Sequence, residues 1–154
     1  MSNLKAVALE QTRELANQGL SIKLIQPIKG WVYTMRNALG MTGAQLGERM
    51  GVKKGRISQI EQMEIEGRVT LQQLKRAANA MDCELIYAFR PQEPVETMVV
   101  NKAKKKAFNL TKETQIHMGL EAQGLSKKSF EREVKRLTDE FTSKLPRDLW
   151  DEEV

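Results

Sequence analysis

With a single cysteine, Cys83, and a single histidine, His117, this 154-residue chain lacks the side chains that an internal disulfide or a zinc site requires. No metal and no cofactor is expected. His117 has no acid or nucleophile pattern around it, so catalytic residues are not expected and the chain does not read as an enzyme. Nowhere do about eighteen apolar residues run together, which argues against a membrane span. The opening MSNLKAVALEQTRELANQG mixes acids with bases and is not the pattern of a signal peptide. What the chain does have is charge: 25 Lys and Arg against 20 Asp and Glu, a net +5. That balance favours a polyanionic partner. At 40% hydrophobic, the length suffices for one core with an appended subdomain, not for two large independent domains.

The pattern of apolar residues is mostly helical. Ser2 is placed to cap a first helix carrying Leu4, Val7, Ala8 and Leu15 on one stripe, with Gly19 ending it. After Pro27, residues 28–39 place Trp31, Val32, Met35, Ala38 and Leu39 at helical spacing, with Trp31 and Met35 in the core and Gly40 as C-terminal cap. Thr42 is an N-cap for a short helix with Ala44, Leu46 and Met50, and Gly51 supplies the positive φ of a sharp turn anchored by Val52. A third helix is expected from Lys53 to Gln62 with Ile57 and Ile60 inward. Another begins at Thr70, with Leu71, Leu74, Ala77, Ala78 and Met81 closing the bundle.

CELIYAFR, from Cys83 to Arg90, alternates as a strand does. A lone strand cannot leave both edges bare, so its partner is either an unrecognised segment of the chain or, the favoured reading, the same strand of a second subunit. Pro94 suits the first turn of a long helix with Val95, Val99, Ala103, Ala107 and Leu110, running towards Leu120. Gly124 and Ser126 then stop one helix and cap the next, with Leu125 and Phe130 at staple spacing. Phe130, Val134, Leu137 and Phe141 line the last helix, to Pro146, giving a helical hairpin.

The expected fold is all-α, a helix-turn-helix bundle with one short β-strand, probed as three parts: residues 1–27, an N-terminal helix and linker; 28–90, the helix-turn-helix domain with its terminal strand; and 91–154, a helical extension and acidic tail.

The stretch from Arg36 to Glu61 carries the chemistry. Reading DNA requires an exposed helix that fits the major groove, side chains that reach base edges, and contacts that fix register on phosphates. On the third helix, Lys54 suits guanine and Gln59 suits adenine, Ser58 shares their polar surface, and Gly55 removes a side chain where the groove edge comes close. Gln45, Lys53, Arg56 and Arg49 are the candidates for holding phosphates, aided by the positive end of the second helix, and Thr42 at that helix's N-cap completes the expected DNA-binding set.

Arg36, Gly40, Thr42, Leu46, Gly51, Val52, Ile57, Ser58, Ile60 and Glu61 stand in a pattern that resembles the Xre-type, phage-repressor-like helix-turn-helix family. Gly43 departs from it where the family has Gln, and Gly47 where it has Ala. Read with RVTLQQLKRAANAMDCELIYAFRP, the segment is similar to the group called mobile mystery protein A, over most of residues 1–110. That resemblance implies an autorepressing, antitoxin-like DNA-binding regulator in a two-gene module whose neighbour bears a Fic domain. The expectations are therefore double-stranded DNA bound by a homodimer in the cytoplasm, associated with the nucleoid, and a Fic-domain protein partner. The rival expectation is a protein-interaction module that chiefly neutralises that partner.

Outside the motif, Lys102, Lys104, Lys105 and Lys106 form either a clamp for a phosphate backbone or an acidic partner, or an ordinary solvated helix face. Glu61 and Glu64 are expected to brace helices, and Cys83 to be a small apolar residue. Leu149 and Trp150, set among acids, either anchor a partner protein or pack back on the C-terminal helices.

Overall fold

The computed structural model describes residues 2–117 and 127–152. The described helices are α1 (Asn3–Asn17), followed by a 3-10 turn (Gln18–Ser21), then α2 (Trp31–Ala38), α3 (Gly43–Met50), α4 (Lys54–Ile65), α5 (Leu71–Ala80), α6 (Val95–His117) and α7 (Lys127–Lys144). They form two compact units, residues 23–88 and residues 1–22 with 89–154.

In the unit of residues 23–88, α2 to α5 bury Val32, Leu46, Ile57, Ile60, Ala77 and Met81, with Met35, Val52 and Leu74 packed against them. Two helix starts are fixed by reciprocal capping. The Thr42 hydroxyl accepts from the Gln45 N–H while the Thr42 N–H donates to Gln45 Oε1, and Thr70 and Gln73 repeat the arrangement on α5. Gly51, at φ 70°, ends α3 in the left-handed region that a side chain disfavours. The expected Lys53–Gln62 helix runs instead from Lys54 to Ile65, with Lys53 as its N-cap. Trp31 and Leu71, expected in the core, are exposed. Val32 takes the inward position on α2, and Leu74 and Ala77 take it on α5.

The second unit packs α6 against an antiparallel α7. Ala103 and Ala107 present small faces that let α7 approach, burying Val134 and Leu137 beside them and Leu149 beneath Val99. Phe108 meets the Phe130 ring edge-on at 5.4 Å. The inward stripe of α6 continues at Thr111, not at the half-exposed Leu110, because four residues from Ala107 keeps the same face. The continuation towards Leu120, the Gly124 stop, the Ser126 cap and the Leu125 half of the staple lie outside the described residues.

Two expectations are corrected here. The Leu4, Val7, Ala8 and Leu15 stripe of α1 faces outward, and the half-buried side is Leu9, Arg13 and Asn17. Docking is fixed at the helix end, where Asn17 Oδ1 accepts from the Val95 N–H and Asn17 Nδ2 donates to Glu96 Oε2, both at 2.9 Å. Gly19 lies in the 3-10 turn, where a Cβ would collide with the Phe89 carbonyl oxygen.

The second correction is the strand. Cys83 and Leu85 turn inward while Glu84 and Ile86 turn outward, so the alternation is real, but no strand is found among the described residues. A strand is a paired object, and here no backbone N–H from Glu84 to Arg90 donates a hydrogen bond among the described residues.

Candidate nucleic-acid interface

α4 owes its position to three constraints. Ile57 and Ile60 bury one side of it. At its start, Val52 N–H donates to Gly47 O at 2.8 Å, drawing the turn against α3. A Cβ on Gly47 would lie 2.6 Å from Val52 O, so this turn is tighter than one carrying alanine there. At the far side, Arg36 Nε meets Glu61 Oε1 at 2.6 Å, both side chains largely buried, and Arg36 Nη1 donates to Met41 O at 2.9 Å. Glu64 accepts from the backbone N–H groups of Trp31 and Val32, capping α2 from α4. Both carboxylates brace helices, as expected of Glu61 and Glu64.

Opposite the buried Ile57 and Ile60, the exposed line of α4 is Gly55, Ser58, Gln59 and Gln62. Lys54 flanks it on one side and Arg56 on the other. Arg56 is half-buried and its Nη1 donates to Gln59 Oε1 at 3.2 Å, which fixes the amide's orientation and leaves its NH2 outward. Nothing lies within 4 Å of a Cβ built on Gly55, so its missing side chain serves no internal contact. Thr42, Gly43, Lys54 and Ser58 line one open groove of about 450 Å³, together with Asn37 from the end of α2. Gln45, Lys53, Gly55 and Gln59 are exposed but are not among its lining residues.

Not every candidate is free to reach a phosphate. Gln45 has its Oε1 and backbone N–H engaged with Thr42, so only its Nε2 remains. Arg49 is committed elsewhere: Nε donates to Ala80 O and Nη2 to Asp82 Oδ2 at 3.1 Å, tying α3 to the end of α5. Gln62, absent from the expected site, belongs to the same exposed line. It stands seven residues beyond Gly55, two turns along one face, and that spacing was the available signal. Its Nε2 donates to Glu66 Oε1 at 3.0 Å. That bond, followed by the one from Arg68, holds the Glu66 carboxyl below the usual carboxylate range.

Outside this unit, Leu149 is 2% exposed and buried with Val99 and Ala103, so it packs back as one of the two expectations had it and offers no surface anchor. Trp150 keeps an exposed face. In the lysine run, Lys106 donates to Asp148 Oδ2 at 2.8 Å, leaving Lys104 and Lys105 as its exposed members. Among the described residues, no group of three or more His, Cys, Asp or Glu side chains could hold a metal ion, and no helix is long and apolar enough to cross a membrane.

The helix-turn-helix family model matches residues 32–87, which hold α3, α4, α5 and all of α2 but Trp31. This part of the chain is therefore a helix-turn-helix domain, of a kind that supports a DNA-binding regulator. No curated protein and no solved structure matches the chain.

Proposed function

We propose that the chain is a sequence-specific transcriptional regulator that binds double-stranded DNA as a homodimer, with α4 in the major groove. The observation that carries this reading is the exposed line of Gly55, Ser58, Gln59 and Gln62, polar or bare throughout, with Lys53 at the N-cap and Lys54 and Arg56 on its flanks. A surface of amides and a hydroxyl offers donors and acceptors to base edges, while the flanking cations suit phosphates. The helix-turn-helix match and the net +5 charge support it. Two such helices related by a two-fold axis would meet successive major grooves about 34 Å apart, so half-sites about one helical turn apart, or a multiple, are expected.

The finer reading is an autorepressor that occludes its own promoter and acts as the antitoxin-like half of a two-gene module with a Fic-domain partner. The resemblance of residues 1–110 supports it, and the exposed Trp150 offers a partner an aromatic contact.

Selection of bound duplexes from a random pool tests the proposal. An enriched pseudo-palindrome with turn-spaced half-sites is expected. Recovery of unenriched sequence would sink the specific-regulator reading.

A further inference from the structure

We propose that Lys29, Tyr33 and Asn37 form a strip along α2 that binds the phosphate backbone flanking the bases read by α4. This deepens the DNA-binding reading above and rests on it.

The sequence clears this region of negative charge. Asp and Glu make up 20 of the 154 residues, yet none falls between Glu14 and Glu48. That stretch holds the whole of α2, the turn after it and the start of α3. Residues 23–88 carry ten Lys and Arg against six Asp and Glu, so four of the five net positive charges reside in the helix-turn-helix unit. The carboxylates of α4 that reach α2 are engaged, Glu61 with Arg36 and Glu64 with the N–H groups of Trp31 and Val32. A surface of this kind sets no free carboxylate against a phosphate.

The three side chains offer donors in file. Tyr33 and Asn37 stand four residues apart on one face of α2, about 6 Å along its axis, and Lys29, just before the helix, folds back over Tyr33. Lys29 Nζ lies 4.8 Å from the Tyr33 ring centroid and donates to Tyr33 Oη at 3.4 Å. Among the described residues Lys29 thus meets a ring and a hydroxyl, not a carboxylate, and its charge stays uncompensated. Accepting that bond leaves the Tyr33 hydroxyl its own proton to donate. Asn37 Nδ2 donates to Tyr33 O at 2.8 Å, which fixes the amide and leaves its second N–H outward. Phosphate oxygens only accept, and Lys, Tyr and Asn are among the side chains that bind them.

The strip is continuous with the proposed interface. Asn37 lines the groove of about 450 Å³ together with Thr42, Gly43, Lys54 and Ser58. A DNA backbone crossing the mouth of that groove at Thr42 therefore runs on to Asn37 and Tyr33 and reaches the ammonium of Lys29.

The test titrates the full chain with the selected duplex and a scrambled one between about 50 and 200 mM salt. Lys29→Gln is expected to make the slope of log Kobs against log salt shallower by about 0.9 and to weaken both duplexes alike, while Lys29→Arg keeps the wild-type slope. Tyr33→Phe, which retains the ring, and Asn37→Ala are each expected to weaken both duplexes about two- to tenfold with the slope unchanged, because a neutral donor releases no counterion. Neutral methylphosphonates placed one at a time outside the selected half-site locate the contact: one position is expected to weaken the wild type and leave Lys29→Gln unaffected. An unchanged slope for Lys29→Gln, with no position at which it differs from the wild type, overturns the strip and leaves the regulator reading intact where the selected duplex still binds. A loss confined to the selected duplex makes Lys29 a base reader and overturns the strip as well. A chain that binds neither duplex overturns both readings.

Discussion

Arg36 and Glu61 join the helix before the motif to the helix proposed to enter DNA: Nε and Oε1 stand 2.6 Å apart, and Nη1 reaches the Met41 carbonyl at the start of the groove. One guanidinium therefore ties α2, the α2 to α3 turn and α4 together. Because both side chains are largely buried, removing one partner strands the other charge. Glu61→Ala is expected to cost about 3–5 kcal/mol, against a smaller loss for the Arg36→Met/Glu61→Leu double variant. Urea denaturation of the three proteins checks it, and equal losses would assign the effect to packing rather than to the stranded charge.

Gly47 is a buried helical glycine whose replacement by alanine should harm the fold. Alanine gains about 1 kcal/mol of helix propensity. Against that, a Cβ 2.6 Å from the Val52 carbonyl oxygen forces backbone of the turn to move. A net loss of about 1–2 kcal/mol is expected for Gly47→Ala, read from the denaturation midpoint.

Gly55 has the opposite surroundings, with open space where its Cβ would be. Gly55→Ala is expected to stabilise the fold by about 0.4–1 kcal/mol. If the groove edge approaches there, the same substitution weakens DNA binding. Thermal melts and titration of the selected duplex, run on one preparation, separate the two effects, and unchanged affinity would move the DNA away from Gly55.

A pH dependence follows from Asp148. The hydrogen bond from Lys106, and then its charge, hold the Asp148 carboxyl below its usual range. A depressed folded pKa contributes stability that is present above the unfolded pKa, about 3.9, and lost as pH falls through the folded value. Lys106→Met should therefore flatten part of the acid limb of stability and leave its shape near neutrality unaltered. Glu133 and Glu140, each lowered by cationic neighbours on α7, account for further slope in the same unit.

The helix-turn-helix was legible in the sequence because its signals are local: Thr42 three residues before Gln45, Gly51 at a left-handed turn, Ile57 and Ile60 three apart on one face. Where the reading failed, the deciding partner was distant in sequence. Periodicity located the apolar stripe of α1 but not the Asn17 bonds to Val95 and Glu96 that set which side docks. Alternation located the inward and outward faces of residues 83–86, but a ladder needs a second strand, which the described chain does not supply. Arg49 shows the same limit within the candidate site: a positive charge in the last turn of α3 suits a phosphate until a carbonyl 31 residues away claims it. Gln62 was missed at the helix's expected end, although its spacing from Gly55 placed it on the proposed reading face.

The central claim, that the outer face of α4 reads bases, is tested most directly by titrating Gln59→Ala and Lys53→Ala against the selected duplex and a scrambled one at fixed salt. Gln59→Ala is expected to lose about 1–3 kcal/mol on the selected site alone and to relax preference at one position, while Lys53→Ala weakens both duplexes alike. Equal loss on both duplexes for Gln59→Ala, or none on either, would contradict the account.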